Sequence, residues 1–221
     1  MKYIKAILGV AAIVLATSVT TNAVTITLAE HAVNVDGTVT SNPYPTWSGL
    51  GSKTITLTSP GAHFVGLFVD HEIDQAINTF FNEYGVPVNT PSLIQTWEVD
   101  EPGYLFGDIY DNFTASDETG SALDNSSGVP STNPDDVSMA IGWNFVLNPG
   151  QTAHVSFLLS DSAPLAGFYL EQIDPDSPAA IYFSSSVRVV GGTVPDGGAT
   201  LSMLFLSTAI LGLIARRQRS P

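Results

Sequence analysis

Ser138-Met139-Ala140-Ile141-Gly142-Trp143-Asn144-Phe145-Val146-Leu147 is the stretch whose reading decides the fold. On an extended chain Met139, Ile141, Trp143, Phe145 and Leu147 share one face. Ser138, Ala140, Gly142, Asn144 and Val146 share the other. Asn148-Pro149-Gly150 then turns the chain, and Ala153, Val155, Phe157 and Leu159 repeat the alternation. The two segments read as an antiparallel hairpin with one apolar side.

Working outward, the same period of two recurs. Ile26 and Leu28 alternate with threonines, Val33 and Val35 run into the turn Asp36-Gly37, and Lys53 to Thr58 alternates up to Ser59-Pro60-Gly61. Phe64 to Val69 is apolar on both faces, as a central strand is. Leu93 to Val99, Tyr104 to Tyr110, Gly167 to Gln172 and Ile181 to Val190 complete the set. Short strands between turn residues predict an all-β antiparallel β-sandwich over residues 24–190, with a jelly roll or closed barrel as the alternative topology. Within Ile73 to Gly85, Ala76, Ile77, Phe80 and Phe81 also fit one short helix. Residues 111–136 are acidic and rich in Ser, Asn and Gly, and read as a long surface loop at one end of the sandwich. A Gly-rich tether, 191–193, follows the last strand.

Charge is distributed unevenly. Lys2, Lys5, Arg216, Arg217 and Arg219 lie in the terminal segments, so only Lys53 and Arg188 are basic between them. Every Asp and Glu lies from Glu30 to Asp196, and the net charge of −14 understates the acidity of that body. Such a surface repels nucleic acid and attracts cations. The chain has no cysteine, which excludes disulfides, thiolate metal sites and a cysteine nucleophile. Stability must come from the core, for which the length suffices.

The two ends carry address information. Residues 1–23 read as a secretory signal peptide: Lys2 and Lys5, an apolar centre from Ala6 to Ala16, and a small-residue exit with cleavage after Ala23. At the other end Val194-Pro195-Asp196-Gly197-Gly198 precedes an uncharged apolar run, Ala199–Ala215, then Arg216, Arg217 and Arg219 as a membrane stop. The run reaches the lower limit for a transmembrane helix, roughly 17 residues. The arginines hold that end on the cytoplasmic side and leave the body outside.

Motif, span and basic cluster in this order, over residues 194–219, resemble the PEP-CTERM class of bacterial sorting signals, most closely its VPDSG-type variant. Asp196 stands where the Val-Pro-Glu-Pro form has Glu, and Gly197 where it has Pro and the variant more often has Ser. The resemblance implies recognition by an exosortase-like membrane enzyme, with release or transfer to the outer surface. It also implies association with extracellular polysaccharide. An ordinary single-span anchor is the alternative. Trp97-Glu98-Val99-Asp100-Glu101-Pro102-Gly103 and Asp135 to Trp143 are similar to phrases in other proteins bearing such tails, and bring no activity with them.

Three constellations merit weighing in the body. Asp70, Glu72, Asp100, Asp108 and Asp111 offer hard oxygen ligands for Ca²⁺, as do Asp74, Glu98, Glu101, Asp174 and Asp176. No EF-hand order is present, and the competing reading is a solvated acidic surface with turn-making aspartates. His63 and His71 lack zinc spacing, His71 points away from Asp70 and Glu72 on a strand, and His154 lies on a polar face. Tyr44 and Trp47, in a loop, are the candidates for stacking on sugar rings, whereas Trp143 belongs to the core. No Gly-x-Ser-x-Gly occurs, and no carboxylate pair is singled out for hydrolysis.

The leading expectation is therefore a non-catalytic exported surface or matrix protein without a resident cofactor. A carbohydrate-binding module on the cell surface is the alternative, and a secreted hydrolase the third reading.

Overall fold

The computed structural model describes residues 24–76, 79–103 and 106–192. The expected signal peptide with Ala23 and the whole sorting tail from Val194, with its apolar run 199–215, lie outside the described residues. Among the described residues no helix is long and apolar enough to cross a membrane.

Ten strands form among the described residues: β1 (Ile26–Val35), β2 (Thr38–Ser41), β3 (Gly51–Leu57), β4 (Gly61–Ile73), β5 (Tyr84–Val88), β6 (Gln95–Asp100), β7 (Ser138–Leu147), β8 (Gln151–Ser160), β9 (Tyr169–Ile173) and β10 (Ala180–Gly191). They make two five-stranded sheets, β2-β1-β4-β7-β6 and β3-β8-β10-β9-β5. All pairings between them are antiparallel. The sheets share one apolar core, so the chain is an all-β sandwich of two separate sheets.

The hairpin expected for 138–159 does not form. β7 pairs with β4 and β6 in the first sheet, while β8 pairs with β3 and β10 in the second. Asn148-Pro149-Gly150 is instead an arch from one layer to the other, closed by the Gln151 N–H donating to the Asn148 carbonyl at 3.0 Å. Gly150 takes φ +80°, which Pro149 and Gly150 supply at little steric cost. The arch sets Met139, Ile141, Trp143, Phe145 and Leu147 face to face with Ala153, Val155, Phe157 and Leu159. A hairpin would have left both apolar faces side by side and needing another cover. Trp143 is core, and its indole N–H donates across the sheets to Ser185 Oγ at 2.9 Å.

Asp36-Gly37 does close a two-residue hairpin between β1 and β2, both residues at positive φ as a type I′ turn requires. The helix weighed for 73–85 is replaced by a 3-10 turn, Phe80–Asn82, that leads into β5. Of the strand expected for Tyr104 to Tyr110, the described residues 106–110 form none. Its end belongs to helix α1 (Ile109–Ala115), in which Ile109 and Phe113, four apart, face inward. Gly191, expected in the tether, ends β10, and the Gly192 N–H donates to the Gly150 carbonyl at 3.0 Å.

The acidic segment 111–136 is not an end loop. It starts in α1, which packs on the outer face of the first sheet in a second small core of Ala32, Phe68, Ile109, Phe113, Leu123 and Ala140. Room for it comes from Gly66 and Gly142, which pair across β4 and β7. A Cβ on Gly142 would lie 2.4 Å from the Phe64 ring, and one on Gly66 2.9 Å from both the Phe64 and Phe113 rings. Residues 125–128 then run along the β6 edge, with Val99 N–H bonded to the Ser126 carbonyl and Gly128 N–H to the Val99 carbonyl. Val129 and Glu83 tie the next stretch to β5. The segment thus closes the open side between the two sheets, where bare edges would invite pairing with other chains.

Candidate metal centre

The outer face of the first sheet carries the candidate. Along β4, Val65, Leu67 and Val69 enter the inter-sheet core, so Phe68, Asp70 and Glu72 face the other way. Register places Asp70 opposite Ser138 of β7, and Ser138 opposite Asp100 of β6. The register of three adjacent strands, β4, β7 and β6, therefore gathers acids at one end of one sheet. The two similar phrases at 97–103 and 135–143 meet there as adjacent strands β6 and β7.

The acids separate into two groups. Asp70, Glu72 and Asp136 each bring a carboxylate oxygen within 4.8 Å of the others. Asp70 and Glu72 are 6% and 7% exposed. Asp70 Oδ1, Glu72 Oε2 and Asp136 Oδ1 are buried and have no hydrogen-bond partner among the described residues, and neither has the wholly buried Ser138 Oγ. Burial first, then the charges of Asp136 and Glu72, push the Asp70 carboxyl up to about 8. The Ser138 hydroxyl lies close enough to pull slightly the other way without forming a well-shaped hydrogen bond. Burial and then Asp136 push Glu72 up to about 7, and burial raises Asp136 to about 6. No basic group offsets these shifts. Lys53 is held over two aromatic rings, and Arg188 lies opposite His154 on β10.

Glu98, Asp100 and Asp108 form the second group. Here the oxygens are occupied. Asn112 Nδ2 donates to both Glu98 oxygens at 3.1 and 3.2 Å, and Asp124 N–H to Oε2 at 3.2 Å. Asp108 N–H donates to Asp100 Oδ2 at 3.1 Å. Burial raises Glu98 to about 7, and burial also raises Asp100. This group anchors α1 and the segment after it.

The remaining carboxylates have structural partners. Asp111 is exposed in the first turn of α1, where a negative charge suits the helix dipole, and joins neither group. Asp74 accepts from Thr25 N–H at 2.6 Å and Ser177 Oγ at 2.7 Å. Asp174 Oδ1 accepts from Asp176 N–H, and Asp176 Oδ2 from Asn82 Nδ2. Glu101 is raised, by burial first and then by Asp135, Asp100 and Asp136, which places it beside the acidic end.

The histidines do not join the acids. His71 points into the core, donates its Nε2–H to the Gly49 carbonyl over 3.1 Å, and is lowered to about 4 by burial. His63 bridges Asp36 and the Ser59 carbonyl. His154 pairs with Thr56 Oγ1 on the outer face of the second sheet.

Tyr44 and Trp47 do come together, at 5.9 Å between ring centroids, but at 87° to one another. His31 packs against both, and the Lys53 ammonium lies 4.4 Å and 4.9 Å from the two ring centres. A pyranose ring finds no flat paired platform there. Trp97 is core, 5.8 Å from Phe168.

Asp136, Ser138 and Glu83 are the residues that sequence reasoning missed. Parity held the signal for one of them: Asp136 lies two residues before Ser138 and shares its face. The pairing of β4 with β7, which brings Asp136 to Asp70, has no local signature. Comparisons with protein-family models, curated proteins and solved structures find no match to the chain.

Proposed function

We propose that the chain is a non-catalytic exported surface or extracellular-matrix protein, delivered by a C-terminal sorting signal that an exosortase-like membrane enzyme processes. One observation carries this reading: the fixed order of Val194-Pro195-Asp196-Gly197-Gly198, the apolar run 199–215 and Arg216, Arg217 and Arg219 at the end of a chain that opens with a signal-like segment. The body suits such a destination. It is all-β, cysteine-free and acidic, and its β5 and β6 edges and one outer face are covered by its own chain. The groove of about 430 Å³ beside Thr96 and Asn144 is lined by a single carboxylate, Glu118, where glycoside hydrolysis takes a pair.

Expression of the full chain in a host that carries an exosortase-like enzyme tests the proposal. Fractionation should find the mature protein outside or on the outer surface, and its mass should end near the 194–198 motif. A membrane-bound form that still ends in Arg219-Ser220-Pro221 would reject processing and leave an anchored protein.

A further inference from the structure

We infer that Asp70, Glu72 and Asp136, with the Ser138 hydroxyl beside them, hold a Ca²⁺ ion that pins the segment before β7 to the outer face of the first sheet. The inference stands independently of the sorting tail. An acidic cluster alone says little, because exposed carboxylates gather without any ion. This cluster is different in what it lacks. Its three carboxylates each keep a buried oxygen without a hydrogen-bond partner among the described residues, and the buried Ser138 hydroxyl beside Asp70 is unpartnered as well. Leaving a buried polar atom without a partner destabilises a fold, and more so when the atom is charged. Elsewhere the protein satisfies its acids, as at Glu98, Asp74 and Asp174.

The chemistry of the donors selects the ion. All are oxygens, with no imidazole or sulfur among them, since His71 faces the opposite side of β4. Ca²⁺–oxygen distances of roughly 2.3–2.6 Å allow ligand atoms up to about 5 Å apart, and the three carboxylates bring oxygens within 4.8 Å of one another. Three carboxylates and a hydroxyl leave positions for water, and Glu30, opposite Asp70 on β1, stands at the rim. Among the described residues the two basic side chains are engaged elsewhere, Lys53 over aromatic rings and Arg188 opposite His154, so a divalent cation is the partner the trio's charge lacks.

The ligands come from two separated parts of the chain. Asp70 and Glu72 end β4, whereas Asp136 closes the segment that seals the side between the sheets. An ion there links the cover to the sheet. With few protein ligands, the affinity belongs to the range of extracellular modules, about 10⁻⁴–10⁻³ M.

Calorimetric titration of the full chain with CaCl₂, with melting followed in parallel, tests this. Saturable binding of one ion should raise Tm by roughly 5–10 °C at a hundredfold excess over Kd. Asp70→Asn and Asp136→Asn should abolish the shift, and Asp111→Asn should keep it. In chelator the order should invert, with Asp70→Asn melting above the wild type because a neutral amide is buried there more easily than a carboxyl crowded by two others. No saturable Ca²⁺ binding, saturation by Mg²⁺ but not Ca²⁺, or an unchanged shift in both Asn variants would overturn the assignment. Should a variant not fold, limited proteolysis of the wild type between Glu118 and Asp135 decides: Ca²⁺ must slow cleavage there, and equal rates with and without it reject the site.

Discussion

Glu83 and Asp135 exchange both of their backbone hydrogen bonds, Glu83 N–H donating at 3.0 Å and Asp135 N–H at 2.9 Å. The pair stitches the second sheet, which β5 enters directly after Glu83, to the segment that enters the first sheet as β7. It also turns the Glu83 side chain into the interior. There its carboxylate accepts from Ile73 N–H at 2.8 Å and from the Gln172 amide, which bonds the His71 carbonyl as well.

Burial pushes the Glu83 carboxyl up to about 8, against the hydrogen bonds from Ile73 and Gln172. Between the ordinary glutamate value and pH 8 the folded protein therefore holds a proton that the unfolded chain has released. Stability should fall as pH rises through that window, with a slope approaching about 1.4 kcal/mol per pH unit from this group. Urea unfolding at pH 5, 6.5 and 8 in saturating Ca²⁺ measures it. Glu83→Gln should flatten the slope, and an equally steep profile in the variant would show that Glu83 is not its source.

Gly142 predicts a second outcome. Its missing side chain leaves the space that the Phe64 ring fills, and the backbone around it is fixed by β4 on one side and β6 on the other. Gly142→Ala should therefore cost about 1–3 kcal/mol, the range for overpacking a fixed site. Phe113→Ala, which empties the same outer core, should cost about 3–5 kcal/mol. Denaturant melts of both variants check the pair. A neutral Gly142→Ala would mean that Phe64 has another place to go.

These two sites show what was legible in the sequence. Alternation at 138–147 and 153–159 identified both inner faces, because side-chain parity is local. It could not choose between hairpin and arch, since that depends on which strands occupy the β7 edges. The segment 111–136 looked like a loop because its order comes from backbone bonds to Val99, Gly85 and Glu83, and these leave no periodic trace. The calcium candidates were half legible for the same reason. Asp70 and Glu72 share a face by parity, but Asp136 joins them only through the β4–β7 register.

Lys53 offers a smaller test. Its place on β3 shares a face with Ile55 and Leu57, so an inward-facing lysine needs a reason. The reason is the Tyr44 and Trp47 rings that receive its ammonium. Lys53→Met keeps the aliphatic stem and removes the charge. It should cost about 0.5–1 kcal/mol and shift the Trp47 fluorescence, which denaturant melts and emission spectra would record. A stabilised variant would show that burial of the charge outweighs the ring contacts.

His63 sets a pH dependence that local chemistry makes specific. Its Nδ1 lies 2.8 Å from Asp36 Oδ2 and its Nε2 2.8 Å from the Ser59 carbonyl, both acceptors, so only the imidazolium donates to both. Burial alone would lower its pKa. The Ser59 and Asp36 bonds overcome that and raise it above the ordinary histidine value. The stabilisation from this clasp is thus fully present below about pH 6.5 and lost as pH rises through the folded pKa. His71 runs the opposite way. Held neutral with its pKa lowered to about 4, it withdraws stability as pH falls below the ordinary value. An NMR titration of the ring carbons should separate the two, His63 titrating above the free imidazole and His71 below. His63→Phe keeps the contact with the Phe145 ring at 5.7 Å and removes both hydrogen bonds. It should lower Tm at pH 6 more than at pH 8.5. Equal losses at the two pH values would show that the clasp works through packing and not through its charge.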